Sequence, residues 1–146
     1  MKKMIVVLIL NLFSLSSFTQ TISFDEMIKL QGQQLNEAND FIIKKGLNLD
    51  KTNSSETIWK KGNLYFGYKI MEDSSIEVSL QTQDKKQYEY ILNSIKGKGM
   101  KVTKTFNVTE PYEGLVIQYE GKNYIVNCKV MTNNEANAYS FTLAKK

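Results

Sequence analysis

Between residues 23 and 45 the apolar positions recur at helical spacing. The residues that follow this spacing are Met27, Ile28, Leu35, Ala38, Phe41 and Ile42. Ser23 is a suitable helix N-cap, and Glu26 three residues later completes a capping box. Gly32 divides the stretch, and Gly46 is a natural end after two lysines. The pattern predicts two helices, over about residues 23–31 and 33–45.

A further helix is predicted after residue 84. Its apolar residues stand at positions i, i+3, i+4 and i+7, which places them on one face: Tyr88, Ile91, Leu92 and Ile95. Asp84 is a candidate N-cap with Gln87 three residues later, and Gly97 and Gly99 end the stretch. This helix is therefore expected to bury one face and expose the other.

Elsewhere the pattern alternates with a period of two, which is typical of strands with one buried face. Residues 64–70 and 76–80 form two such runs, joined by the polar turn 72–75, and predict a hairpin. More strands are predicted over residues 100–106, 115–120, 123–131 and 138–143. Most aromatic side chains fall on the predicted inner faces, namely Phe24, Phe41, Phe66, Tyr68, Tyr88, Phe106, Tyr124, Tyr139 and Phe141, so we expect them to pack in the core.

The two halves of the chain resemble each other, over residues 21–83 and 84–146. Residues 45–52 match residues 98–105, and residues 59–71 match residues 119–131, at the same internal spacing. Each half then contains helix followed by four strands. The predicted fold is α+β, with an antiparallel sheet of about eight strands and two or three helices on one face.

Two such repeats resemble the architecture of the beta-lactamase-inhibitor-protein-like folds. In that family the two repeats form one curved sheet, and its concave face grips a partner protein. The resemblance lies in element order and not in a sequence motif, so it assigns no residue. Those inhibitors contain disulfides, whereas this chain has a single cysteine. The chain also resembles small, lysine-rich exported bacterial proteins, a likeness that implies no activity.

Residues 1–20 read as a secretory signal peptide. Lys2 and Lys3 precede an apolar run over residues 4–13, and small polar residues follow it. Cleavage near Gln20 would remove 20 of the 146 residues and leave 126, enough for one α+β domain over residues 21–146. We expect an exported protein, periplasmic or extracellular, with no membrane span after cleavage.

The amino-acid composition limits the kinds of binding and catalysis that we expect of this chain. Lys2 and Lys3 supply two units of the net charge of +4, so the mature chain carries about +2, and nothing suggests binding to nucleic acid. All nineteen basic residues are lysine, and histidine is absent, which removes the usual general base and zinc ligand. We expect no cofactor. Cys128 lies in phase with apolar strand residues, so we expect a buried, structural thiol.

Paired carboxylates occur at Asp25/Glu26 and at Glu72/Asp73. The first pair is explained by helix capping and the second by a solvated turn, so neither is expected to be catalytic. The chain is interpreted as not being an enzyme.

Polar residues on the predicted strands should point away from the core, and they form the candidate partner-binding surface. These residues are Tyr65, Lys69, Gln81, Gln118, Asn127 and Lys129. The leading hypothesis is an exported, non-enzymatic binding module, such as an inhibitor, adaptor or envelope accessory protein, that docks a protein partner. An alternative is a carrier of an apolar small molecule between helices and sheet, and a third is a hydrolase that uses carboxylates alone.

Overall fold

The computed structural model describes residues 22–109, 113–132 and 137–146. The predicted signal peptide and the loop at Pro111 lie outside these residues. Three helices are present: α1 (Phe24–Gln31), α2 (Leu35–Lys44) and α3 (Lys85–Gly97). These match the predicted helices to within a few residues. They lie together on one side of a single sheet, and α1 and α3 both pack on its two central strands.

The sheet contains eight antiparallel strands. Their bounds are β1 Asn48–Thr52, β2 Glu56–Lys61, β3 Leu64–Ile70, β4 Ile76–Thr82, β5 Lys101–Val108, β6 Gly114–Glu120, β7 Tyr124–Thr132 and β8 Asn137–Lys145. The spatial order is β1-β2-β3-β4-β8-β7-β6-β5. Each half is thus a four-stranded meander, and the two meanders join where β4 pairs with β8. The α+β prediction is confirmed.

The N-terminus of α1 connects the other two helices. Glu26 N–H donates to Ser23 Oγ (3.2 Å), and Ser23 N–H donates to Glu26 Oε2 (2.8 Å), which confirms the predicted capping box. Glu26 also forms an ion pair with Lys45 at the end of α2 (2.6 Å), and Asp25 pairs with Lys98 at the end of α3. Acidic residues at the positive end of α1 therefore meet lysines at the negative ends of α2 and α3.

The core lies between the helices and the inner face of the sheet. Fully buried side chains from the helices, the strands and the segments beside them form this core, and the largest are Trp59, Phe24, Phe66, Phe141, Ile22, Met27, Leu30, Ile42, Leu47, Leu80, Ile91 and Ile95. Tyr88 stacks on Tyr139 and Phe141, with ring centroids 4.5 and 5.3 Å apart. Cys128 is 1% exposed, as predicted for a structural thiol.

The prediction for Phe106 was wrong, and a β-bulge explains why. Phe106 is 46% exposed and pairs with Val116 on the face of the sheet away from the helices. The register of β5 shifts between Val102 and Lys104, which moves every later side chain of the strand to the opposite face. Two aromatic residues that the prediction omitted, Trp59 and Tyr119, are buried in the core instead.

The two halves share specific backbone features. Gly46 follows α2 with φ of 82°, and Gly99 follows α3 with φ of 70°, a left-handed conformation that glycine adopts without steric cost. The edge strands β1 and β5 each have a register shift at the matching position, between Leu49 and Lys51 and between Val102 and Lys104. The sequence similarity between the halves therefore coincides with similar local structure.

Within the described part of the chain, none of the helices combines the length and the apolar character that crossing a membrane requires.

Candidate functional site

The face of the sheet that points away from the helices is here called the open face. Side chains alternate between the two faces along each strand, so the strand register identifies its members. One row crosses all eight strands through directly paired residues: Lys51, Ile58, Gly67, Ser79, Thr142, Asn127, Gln118 and Lys104. With neighbouring strands about 4.8 Å apart, this row extends over roughly 34 Å. None of the three helices lies on this side.

Two further rows flank the central one. The first contains Asn48, Lys60, Tyr65, Gln81, Ser140, Lys129, Val116 and Phe106. The second contains Glu56, Lys69, Glu77, Ala144, Ile125, Glu120 and Lys101. The three rows together form a broad surface with a small-residue centre at Gly67, Ser79 and Thr142.

All six predicted site residues lie on the open face, distributed over the three rows. Tyr65 pairs directly with Gln81, and Gln118 pairs directly with Asn127. Lys129 lies in the same row as Tyr65 and Gln81, whereas Lys69 lies between Glu56 and Glu77 in the second flanking row. The alternation of the sequence thus placed these side chains on the correct side, but it did not predict which of them are neighbours.

In the second half of the chain the open face carries a side-chain hydrogen-bond network. Thr103, the residue at the bulge of β5, donates to Glu120 Oε1 (3.0 Å) and lies 3.4 Å from Gln118 Oε1. Gln118 Nε2 donates in turn to Asn127 Oδ1 (3.1 Å). Lys146 pairs with Glu120 (2.8 Å), and hydrogen bonds from Lys146 and Thr103 lower the pKa of that carboxyl. The network fixes polar groups across β5, β6 and β7.

In the first half a lysine and a tyrosine replace such a network. Lys60 Nζ lies 4.9 Å from the centroid of the Tyr65 ring, within the range of a cation–π contact. A hydrogen bond with Tyr65 raises the pKa of Lys60, and the nearby carboxylate of Asp50 acts in the same direction. This corner of the open face is therefore an aromatic ring with a positive charge held over it.

The charge of the open face is unbalanced. Its three rows contain six lysines (Lys51, Lys60, Lys69, Lys101, Lys104 and Lys129) and three glutamates (Glu56, Glu77 and Glu120). Glu120 is already paired with Lys146, and Lys69 has a glutamate on each neighbouring strand. The remaining lysines give the face a positive character.

The carboxylate and thiol groups that could support catalysis or metal binding have structural roles in this fold. Asp73 Oδ1 accepts hydrogen bonds from Ser75 N–H (3.0 Å) and Ser75 Oγ (2.6 Å), which lower the pKa of Asp73 and fix the β3–β4 turn. Burial raises the pKa of the Cys128 thiol to about 12, so the reactive thiolate is scarce at neutral pH. Among the described residues, no three acidic or cysteine side chains converge where they could hold a metal ion.

Several members of the open face were missed by the sequence analysis, notably Ile58, Lys60 and Phe106. Ile58 and Lys60 alternate with Thr57 and Trp59, which are buried on the helix side. That alternation was visible in the sequence, but β2 was not assigned individually. Phe106 carries no such signal, because its position depends on the bulge.

Comparison with known proteins found no matching family, no matching curated protein and no matching solved structure. The geometry of the chain itself therefore supplies the basis for a functional proposal.

Proposed function

We propose that this chain is an exported, non-enzymatic binding protein that docks a protein partner on the open face. The observation that carries the proposal is the open face itself, a surface about 34 Å wide that none of the three described helices covers, with six lysines against three glutamates in its rows. A specific interface needs about 800 Å² from each partner, which calls for a broad contiguous surface of this kind. Docking through a sheet face is also the mode that the resemblance to the inhibitor fold implies.

The charge of the face indicates an acidic partner. Opposed surface potentials speed association and select against partners of the wrong charge. Lys51 and Lys104 lie at the two ends of the central row, and Lys129 adds charge beside Asn127 on β7. An acidic surface placed over this row would meet a lysine at each of its ends.

The face is also pre-organised. The Gln118–Asn127 hydrogen bond and the Lys60–Tyr65 contact hold side chains in place in the free protein. Fewer rotamers must then be frozen on binding, which lowers its entropic cost. Tyr65 is an aromatic anchor of the type that interfaces favour.

We favour this function over a carrier of an apolar molecule, because the space that a carrier would use is occupied. Phe24, Met27 and Leu30 of α1 are fully buried in the cluster that includes Leu80 and Phe141 of the central strands. An apolar ligand there would have to displace core side chains. We favour it over a carboxylate hydrolase because Asp25, Glu26 and Asp73 are each engaged in a cap, an ion pair or a turn.

The experiment measures binding before and after charge reversal. The purified protein is used as bait on envelope and secreted fractions of its source, and any protein recovered in near-equal amount is purified and titrated against it. The double substitution Lys69→Glu and Lys129→Glu should weaken binding at least tenfold, and added salt should weaken binding by the unaltered protein.

The matched control reverses two exposed lysines outside the three rows, Lys86→Glu and Lys122→Glu. This variant has the same net charge as the open-face variant and should bind like the unaltered protein. Equal loss in both variants would show a nonspecific charge effect, and unchanged binding in both would exclude the open face as the docking site. Circular dichroism spectra of both variants should match the original.

A further inference from the structure

A cleft of about 710 Å³ lies at the end of the sheet where α3 begins. Its walls come from the β2–β3 turn, the β4–α3 connection and the first residues of β8. Its volume falls within the range of about 300–1,000 Å³ that small-molecule sites occupy. The cleft is separate from the rows of the open face and belongs to a different part of the molecule.

A buried glutamine lines this cleft with one side-chain group unpaired. Gln87 is only 6% exposed, and its Nε2 has no hydrogen-bond partner among residues 22–109, 113–132 and 137–146. A buried amide donor without an acceptor costs free energy comparable to a lost hydrogen bond, so it is unusual in a folded protein. An acceptor supplied by a ligand in the cleft would remove that cost.

The cap of α3 does not involve Gln87. Gln87 is the third residue of α3, the position from which a glutamine Oε1 can accept a hydrogen bond from the N-cap N–H. That N–H, from Asp84, donates instead to Thr82 Oγ1 (3.0 Å), and Asp84 Oδ1 accepts from Lys86 N–H (2.8 Å). The capping requirement at this end is therefore met without Gln87, and the Gln87 Nε2 donor keeps no partner among the described residues.

The charges around the cleft favour a neutral ligand. Lys61 and Asp84 are the charged side chains that line it, and their charges are opposite. The Asp84 carboxylate also meets the positive end of the α3 dipole, which would otherwise attract an anion. The side chains that line the cleft therefore sum to no net formal charge.

The remaining polar groups favour a ligand rich in hydroxyls. Four carboxamides line the cleft, from Asn63, Gln83, Gln87 and Asn137, and each can donate and accept hydrogen bonds. A peptide could not bind by strand addition, because the strands here are already paired, for example Thr82 with Tyr139. We propose that this cleft binds a neutral saccharide, with Gln87 Nε2 donating to a hydroxyl or carbonyl oxygen of the sugar.

The test uses nuclear magnetic resonance on the nitrogen-15-labelled full chain. Cellobiose and di-N-acetylchitobiose are the neutral probes, and inorganic phosphate is the charged one. The Gln87 side-chain amide signals should shift saturably with at least one disaccharide. Gln31 is an internal control, because it is equally buried at 6% but its Nε2 already donates to Ile76 O (3.1 Å), so its signals should not move.

A variant then assigns the effect to the amide. Gln87→Met keeps the size of the side chain and removes its donor, and it should weaken disaccharide binding at least tenfold while the fold persists. Tyr65→Ala on the open face should leave saccharide binding unchanged, which separates this site from the proposed docking surface. The proposal is overturned by a shift with phosphate alone, by no shift with either disaccharide, or by full binding in the Gln87→Met protein.

Discussion

Removing the side-chain amide of Asn39 should destabilise the protein through Trp59. The Trp59 ring is fully buried, and its Nε1–H donates to Asn39 Oδ1 (3.0 Å). The substitution Asn39→Ala leaves this donor buried without its acceptor. The contact joins α2 to β2, so the effect reports on how the helix is attached to the sheet.

The expected change in the free energy of unfolding is the sum of two opposing contributions. An unpaired buried donor costs about 1–3 kcal/mol. Alanine has a higher helix propensity than asparagine, so the substitution within α2 also stabilises the folded protein by about 0.5 kcal/mol. The net loss should therefore be about 0.5–2.5 kcal/mol. With a urea dependence near 2 kcal/mol per molar, a loss of about 1.5 kcal/mol lowers the midpoint by roughly 0.7 M.

Urea unfolding followed by fluorescence provides the assay, because Trp59 is the single tryptophan of the chain. Asn36→Ala is the matched control, since Asn36 lies exposed on the same helix and its replacement should give the small propensity gain alone. If Asn39→Ala were as stable as Asn36→Ala, the hydrogen bond to Trp59 would contribute nothing and the reasoning would fail. A double-mutant cycle with Trp59→Phe, followed by circular dichroism, isolates the pair.

Three further predictions follow from single contacts. Native Cys128 should react slowly with a thiol reagent at pH 7, because burial shields the thiol and raises its pKa to about 12, whereas the urea-unfolded chain should react quickly; equal rates would contradict its burial. Gly114→Ala should lower the free energy of unfolding by about 1–3 kcal/mol in a thermal melt, because a new Cβ would lie 2.6 Å from a backbone carbonyl oxygen of β7. Gly97→Ala is the control, because a Cβ there meets open space, and it should raise the free energy of unfolding by about 0.5–1 kcal/mol. Lys146→Ala should raise the lowered pKa of Glu120 in an NMR titration. The lowered pKa stabilises the fold at pH values above the pKa of Glu120 in the unfolded chain, and this stabilisation is lost as the pH falls through the pKa in the folded protein. The stability of the variant should therefore differ from that of the original protein at neutral pH and match it in acid.

Local rules predicted most of the fold. The capping box at Ser23, the glycine ends of the helices and the apolar stripe of α3 depend on residues close in sequence, and the structure has all of them. The alternation in β3, β4 and β7 likewise placed the buried side chains correctly. These features were predictable because their physical causes lie within a few residues of each other.

The errors arose where a position depends on distant pairing. The exposure of Phe106 depends on a bulge that is defined only once β5 pairs with β6. The capping box suggested by Asp84 and Gln87 does not form, because Thr82 Oγ1 accepts the hydrogen bond from the Asp84 N–H, a choice that the spacing of capping residues does not specify. Alternation along the strands assigned the six candidate site residues to one face, but which of them are neighbours could be known only from the register between paired strands.

The matching bulges in β1 and β5 have a consequence for assembly. An open antiparallel sheet has two edges with unpaired backbone groups, and each can pair with another chain and begin sheet-to-sheet polymerisation. Here both edges are interrupted by a bulge, and a lysine follows it directly, at Lys51 and at Lys104. A strand approaching either edge would meet a broken hydrogen-bonding ladder and a charge. The molecule thereby combines a wide sheet with protection against growth into fibrils.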